Sequence, residues 1–124
     1  MGRPQRDKGK RGERELAAEL EAVLGLACRR GQQYSGIAAA DVVGVPGVHI
    51  ECKRTNRLRL AEAIAQARAD SPTGAVPVVC SRADGQRWLV TVELANLARL
   101  AAALLASEAE YLEELRDRVQ AEVE

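Results

Sequence analysis

The apolar positions of the first quarter of the chain predict one amphipathic helix behind a polar start. Residues 1–11 contain two Gly, one Pro and five basic side chains without apolar periodicity, so we expect a flexible basic arm. From Gly12 onwards the apolar residues recur with the spacing of one helix face, namely Leu16, Leu20, Val23 and Leu24, and Gly25 is a suitable terminator. The same face extends back to Glu13, a carboxylate that needs a cation or a metal beside it if it points towards a core.

The middle of the chain has the alternation and the turn residues of β-strands. Four segments have strand character, namely residues 41–45, 48–53, 76–80 and 88–92. Pro46-Gly47 is predicted to join the first two as a hairpin, and Asp84-Gly85 is predicted to do the same for the last two. A second amphipathic helix is predicted between the hairpins, over roughly residues 59–70.

The last third of the chain is predicted to form two helices. Residues 94–105 are apolar around much of a helix, and Ser107 and Glu110 have the capping-box spacing that predicts a separate final helix. We assign residues 12–92 to the core and residues 93–124 to helices packed on the core or at a dimer interface. With the short segment 26–30 counted as the first β element, the order α-β-β-β-α-β-β-α-α predicts a single α/β domain with a central mixed β-sheet flanked by helices.

Composition and charge narrow the class of protein. The 124 residues make one domain, and no apolar run approaches the ~20 residues that a membrane-spanning helix needs. The basic N-terminus lacks a signal-peptide core, so a cytoplasmic location is expected. Three widely spaced cysteines without a CxxC pair argue against a disulfide or zinc framework, and three aromatic residues are too few for a base-stacking platform.

The formal net charge of zero hides a division along the chain. Residues 1–59 carry 12 Lys and Arg against 7 Asp and Glu, whereas residues 93–124 carry 3 against 8. The first half is therefore the candidate anion-binding part, and its arginines suit phosphate.

The second strand of the first hairpin carries the main chemical signal. Alternate residues of a strand share a face, so Ile50 and Cys52 are expected to face the core while Glu51 and Lys53 project together on the other side, about 7 Å apart. Asp41 begins the preceding strand. Two carboxylates and one ammonium group are thus expected to converge at the edge of a small sheet, where Glu13 could supply a third carboxylate.

These residue types suit the hydrolysis of a phosphodiester. Asp41 and Glu51 offer the oxygen ligands that Mg²⁺ prefers, and the backbone carbonyl of Cys52 could complete the protein's share. Lys53 could orient or deprotonate the attacking water, or stabilise charge in the transition state. An isolated Glu-Cys-Lys segment is a weak signal by itself, because a surface ion pair explains it better.

The spacing of these residues resembles a known superfamily. Asp41, nine intervening residues and then Glu51-Cys52-Lys53, behind a helix that bears Glu13, resemble the PD-(D/E)XK nucleases. That superfamily has a restriction-endonuclease-like α-β-β-β-α-β core with its site at the sheet edge. Ala40 stands where those nucleases usually have Pro.

Within that superfamily, three segments are similar to archaeal Holliday junction resolvases and their phage-encoded relatives. They are residues 9–16, the loop Tyr34-Ser35-Gly36 and the strand 50–53, and the resemblance covers roughly residues 9–92. It implies a Mg²⁺-dependent homodimer, with Mn²⁺ as a substitute and no small-molecule cofactor, that cuts opposing strands of a four-way DNA junction. It also implies a metal-binding role for Glu13 and a catalytic role for Ser35. A virus-encoded protein acting in the host cytoplasm would fit equally well.

Contacts to the DNA backbone are expected from the basic side chains of the arm and of the segment after the site strand. These are Arg3, Arg6, Lys8, Lys10, Arg11, Arg54, Arg57 and Arg59. His49 shares the face of Glu51, and Gln66 lies on the following helix, so both are candidate contacts to the phosphate or the site.

Two other functions stay open at this point. A nuclease of the same superfamily could act on duplex, flap or nicked DNA in repair or restriction. A non-catalytic nucleic-acid-binding module could instead have kept the fold, with Asp41, Glu51 and Lys53 as surface charges. Metal would then neither stabilise the protein nor support turnover.

Overall fold

The computed structural model describes residues 3–31 and 40–123, and it begins with a long helix, α1, over Arg3–Leu24. The predicted end is confirmed: Gly25 has a positive φ of 71°, and its N–H donates to the carbonyl of Glu21 at 2.9 Å. The predicted start at Gly12 is wrong, because residues 3–11 belong to the helix and do not form the flexible arm that was expected. Lys, Arg and Gln are good helix formers, so a helix that is packed further along continues through them without an apolar stripe.

Within residues 3–31 and 40–123, five strands form one mixed sheet in the order β1-β2-β3-β4-β5. The strands are β1 (Arg29–Arg30), β2 (Val42–Val43), β3 (Val48–Arg54), β4 (Val76–Arg82) and β5 (Leu89–Val92). Only β3 and β4 pair in parallel, and helix α2 (Leu60–Asp70) makes the crossover between them. The predicted class, a mixed α/β fold with a central mixed sheet flanked by helices, is confirmed.

Strand β3 is the middle strand of the five, which corrects the expected position of the site at the edge of the sheet. Its residues are buried on both faces in its central part. Ile50 and Cys52 pack with Leu16 and Ala17 of α1, as expected. The opposite face is not left to solvent, because α2 lies over it with Ala63 and Ala67 against Val79.

The first hairpin and the close approach of α1 to the sheet depend on glycine. Gly47 turns the chain with a φ of 77° between β2 and β3. Gly12 lies where α1 crosses β3, and a Cβ there would be 2.6 Å from the Cβ of Arg54. A side chain at position 12 would therefore push the helix away from the strand.

The C-terminal part is one helix instead of the two that were expected. A short 3₁₀ turn, Leu94–Asn96, leads into α3, which runs without a break over Leu97–Val123. Ser107 does not cap a new helix. Its Oγ donates to the carbonyl of Ala103 at 3.0 Å, the internal bond that lets serine sit inside a helix.

Helix α3 packs only through its first half. Leu100 and Leu104 contact the core on the face that α1 covers, whereas all side chains from 108 to 123 are exposed. In the described ranges, no helix has both the length and the apolar character needed to cross a membrane.

Candidate functional site

Asp41 is fixed to β3 through both its backbone and its side chain. Its N–H donates to the carbonyl of Ile50 at 2.9 Å, and its carbonyl accepts from the N–H of Gly31 at 2.8 Å. Its Oδ2 accepts from the backbone N–H of Cys52 at 2.8 Å. The carboxylate is therefore held beside the strand that carries the other predicted site residues.

Glu51 projects from the centre of β3 onto the face covered by α2. It is only 4% exposed, and its Oε1 lies 2.9 Å from Nε2 of His49, which is 4% exposed as well. The prediction placed His49 where a phosphate could reach it. The structure buries it against the carboxyl group instead, because α2 covers this face of β3.

The buried position of Glu51 disfavours the charged form of its carboxyl group. Burial, followed by the charge and the hydrogen bond of the neighbouring Asp41 carboxyl, raises the pKa of Glu51 to about 8. Burial lowers the pKa of His49, so the imidazole is not held as a permanent cation. The Asp41 and Glu51 carboxyls are thus brought together without enough positive charge to balance both.

Lys53 lies two residues further along β3, on the same face as Glu51. Its Nζ donates to Oε1 of Gln66 at 3.4 Å. Gln66, on helix α2, was expected to contact the site, and in the structure its side chain contacts Lys53. The charge of Lys53 lowers the pKa of Glu51, but this effect is smaller than that of burial.

Glu13 lies on α1 and is paired with an arginine that the sequence analysis did not single out. Nε of Arg30, on β1, lies 2.5 Å from Oε2 of Glu13, and both side chains are partly buried. Burial raises the pKa of Glu13, and the charge of Asp41 adds to that rise. The expectation of a cation beside a core-facing Glu13 is therefore met by Arg30, and its metal-binding role stays a prediction.

The donor set suits a hard divalent cation. Asp41 and Glu51 supply carboxylate oxygens whose mutual repulsion such an ion would relieve, which matches the chemistry of Mg²⁺ or Mn²⁺. Among the described residues, no cluster of three or more His, Cys, Asp or Glu side chains is positioned to hold a metal. The role of the Cys52 carbonyl stays a prediction.

A second polar network joins α1 to the far end of the sheet. Glu15 accepts hydrogen bonds from Nε1 of Trp88, at 3.1 Å, and from the guanidinium of Arg82. Arg54 pairs with Asp84 at 2.8 Å. The sequence analysis missed this network, because its members are far apart in the chain and follow no motif.

The predicted DNA contacts differ in how available they are. The guanidinium of Arg54 is paired with Asp84 and donates to the carbonyl of Arg82, and its side chain is mostly buried. It is therefore poorly placed to contact a phosphate. Arg59 lies 3.6 Å from Glu62, and both side chains are largely exposed. Four more are exposed or half-buried at the start of α1 and after β3, namely Lys8, Lys10, Arg11 and Arg57.

Three predicted site residues lie beyond what can be described. Ser35, with its loop neighbours Tyr34 and Gly36, lies outside the described residues. Arg3 and Arg6 are in α1, but their side chains lie outside the described part. The roles of these residues stay predictions.

Fold and site together define a mixed α/β domain whose central hairpin carries a coupled carboxyl pair and a lysine. No protein-family model and no curated protein matches the chain. Among solved structures, the chain is similar to Hjc of Archaeoglobus fulgidus, a Holliday junction resolvase from an archaeal hyperthermophile. The identity is 26%, the match covers 66% of this chain and 74% of that chain, and the TM-score is 0.46.

Proposed function

We propose that the protein is a divalent-metal-dependent endodeoxyribonuclease that resolves four-way DNA junctions. The observation that carries the proposal is the position of the Asp41 and Glu51 carboxyls beside one another on the hairpin that also bears Lys53. Buried carboxyls with strongly raised pKa values are concentrated at functional sites, and a bound cation would offset their charge. A homodimer, which would supply two such sites for two opposing strands, is part of the proposal.

Asp41 and Glu51 are the residues that would hold Mg²⁺ or Mn²⁺. Such an ion offsets the charge that develops on the phosphate and lowers the pKa of a bound water. The backbone N–H of Cys52 keeps the Asp41 carboxylate oriented, and His49 does the same for Oε1 of Glu51. Both carboxylates are thus arranged before a substrate arrives.

Lys53 is the residue proposed to act on the reacting atoms. Its ammonium group would hold the attacking water or stabilise the negative charge of the transition state. Gln66 accepts a hydrogen bond from Lys53 and limits the directions in which the ammonium group can point. Gln66 is therefore a positioning residue in this proposal.

The substrate is proposed to be bound through its phosphate backbone. The exposed basic residues at the start of α1 and Arg57 after β3 would contact phosphates without reading bases. The acidic second half of α3 would repel DNA, so the DNA-binding surface is proposed to lie away from it.

The test is strand cleavage by the purified protein, with and without Mg²⁺, on a four-way junction, a linear duplex and a flap of matched sequence. Symmetric nicks confined to the junction are expected. Asp41→Asn and Lys53→Ala should abolish them while junction binding persists, and Glu19→Gln, an exposed carboxylate on α1, is the control. Equal cutting of all three substrates would replace junction resolution with general nuclease activity. No cutting of any would favour a binding module.

A further inference from the structure

Helix α3 carries an apolar stripe that no part of the described chain covers. Its members share one side of the helix and are exposed, namely Leu105, Leu112, Leu115, Val119 and Val123. Val123 is 77% exposed and Leu112 is 55% exposed. A stripe of this spacing over several turns is typical of a helix that packs against another helix.

The stripe continues beyond the core. Residues 108–123 make a helical extension of about 24 Å in which every side chain is exposed. This extension continues a packed helix, and a partner would stabilise it further through its apolar face. Within the described residues only the first half of α3 has such a partner, since Leu100 and Leu104 pack on the core.

An apolar groove lies beside the first part of the same stripe. It has a volume of about 410 Å³ and runs between the end of α1 and α3. Its apolar lining includes Val23, Leu26, Leu105, Tyr111 and Leu112, and Val23 is 69% exposed. The groove and the uncovered stripe are therefore adjacent parts of one surface.

Charge limits what can occupy this surface. Residues 108–123 carry six acidic and two basic side chains, which excludes nucleic acid, so a partner must be held through the apolar stripe and not through net charge. The two basic side chains, Arg116 and Arg118, both lie in the second half of the extension, whereas Glu108 interrupts the apolar stripe near its start. A second α3 in the antiparallel direction would bring these opposite charges together.

We infer that two copies of the chain associate through an antiparallel pairing of their α3 helices. An alignment that sets Leu112 against Leu115 of the second copy also sets Glu108 next to Arg118 of that copy, twice by symmetry. The same alignment brings residues 115–123 of the second copy over the groove lined by residues 104–112. The Leu115, Val119 and Val123 side chains of one copy then fill the groove of the other.

This inference names the interface of the homodimer that is part of the proposed function, but it does not depend on the proposed nuclease chemistry. Helix α3 packs on the sheet face that α1 covers, whereas Glu51 projects onto the face that α2 covers. A change in the association of α3 is therefore separable from a change in the carboxyl pair.

The test is the mass of the full chain in solution, measured by sedimentation or light scattering over a concentration series. A dimer is expected, and Leu112→Glu should convert it to a monomer. Circular dichroism checks that the variant keeps its fold. A wild-type monomer throughout the series, or a Leu112→Glu variant that dimerises as the wild type does, would overturn the inference.

A charge exchange tests the antiparallel alignment separately. Glu108→Arg and Arg118→Glu should each weaken the dimer, and the double variant should restore its affinity. Glu110→Arg makes the same charge change on the opposite side of the helix and should leave the dimer unchanged. Failure of the double variant to recover, with the single variants impaired, would overturn this alignment.

Discussion

Nε2 of His49 lies 2.9 Å from Oε1 of Glu51, and both side chains are almost completely buried beneath α2. The bond fixes one oxygen of a carboxyl whose pKa burial and the neighbouring Asp41 raise to about 8. His49 and Glu51, which lie two residues apart on β3, are thus joined by a buried hydrogen bond. His49 acts on the site through Glu51 and is better described as a positioning residue than as a contact to the phosphate.

Replacement of His49 by Ala should weaken metal binding. The loss of an outer hydrogen bond to a ligating group typically costs about 10- to 100-fold in metal affinity. The measurement is a calorimetric titration of the metal-free protein with Mn²⁺, and His49→Gln, which keeps a side-chain N–H donor, should recover part of the affinity. Equal affinities for wild type and His49→Ala would contradict the positioning role.

The stability of the metal-free protein should fall as the pH rises from 6.5 to 8.5. The folded protein keeps a proton on Glu51 up to a pKa of about 8, whereas the unfolded chain loses it near 4.5. The folded state therefore binds more protons in this window, and the contribution of Glu51 to the free energy of unfolding decreases as the pH rises to about 8. The lowered pKa of His49 acts with the opposite sign, but at lower pH.

Thermal unfolding at the two pH values measures this effect. The Glu51→Gln variant should show a much smaller difference between pH 6.5 and 8.5 and should be more stable than the wild type at pH 8.5. Glu19→Gln, an exposed carboxylate on α1, is the matched control and should keep the wild-type slope. If the unfolding temperature of Glu51→Gln changed between pH 6.5 and 8.5 as much as that of the wild type, Glu51 would be ionised over this whole pH range.

Added Mg²⁺ should raise the unfolding temperature more at pH 8.5 than at pH 6.5. A proton and a cation compete for the same pair of carboxyls, so the ion binds better where the Glu51 proton is already lost. Removal of the metal with a chelator should reverse the stabilisation, and Asp41→Asn should remove most of it. The same stabilisation in Asp41→Asn as in the wild type would place the ion elsewhere.

A methyl group at position 12 should destabilise the protein. The added Cβ would lie 2.6 Å from the Cβ of Arg54, so Gly12→Ala forces α1 and β3 apart at an expected cost of about 1–3 kcal/mol. Gly9→Ala, one turn earlier on the same helix, meets nothing within 4 Å and should stabilise the helix by roughly 0.5–1 kcal/mol. Urea denaturation of both variants tests the contrast, and a neutral Gly12→Ala would contradict the close packing.

Local patterns were enough to predict the strands and the second helix. The first hairpin, the turn at Gly47 and the helix end at Gly25 follow from short-range steric rules, and each is confirmed. The two errors at the ends of the chain have one cause. A charged segment such as residues 3–11 and a capping box at Ser107 are compatible with several conformations, and continuation of a neighbouring helix decides between them.

The sequence indicates which side chains of the candidate site lie near one another, but not that Glu51 and His49 are buried. The spacing of Asp41, Glu51 and Lys53 indicates that they meet, because a hairpin brings them together in any sheet. Alternation along a strand cannot tell that α2 will cover the face of Glu51, since that depends on the crossover to β4. The pairing of Glu13 with Arg30 depends in the same way on where a two-residue strand is placed.

The bonds from Asp41 to β3 also bear on the order of folding. Asp41 and Cys52 are 11 residues apart, whereas Glu51 and its parallel neighbour Val79 are separated by the whole of α2. Closing a short hairpin takes microseconds, and non-local parallel pairing carries a larger entropy cost and follows later. We therefore expect the two carboxyl groups to approach one another while the chain still has few long-range contacts, and to lose their solvent only when α2 packs over Glu51.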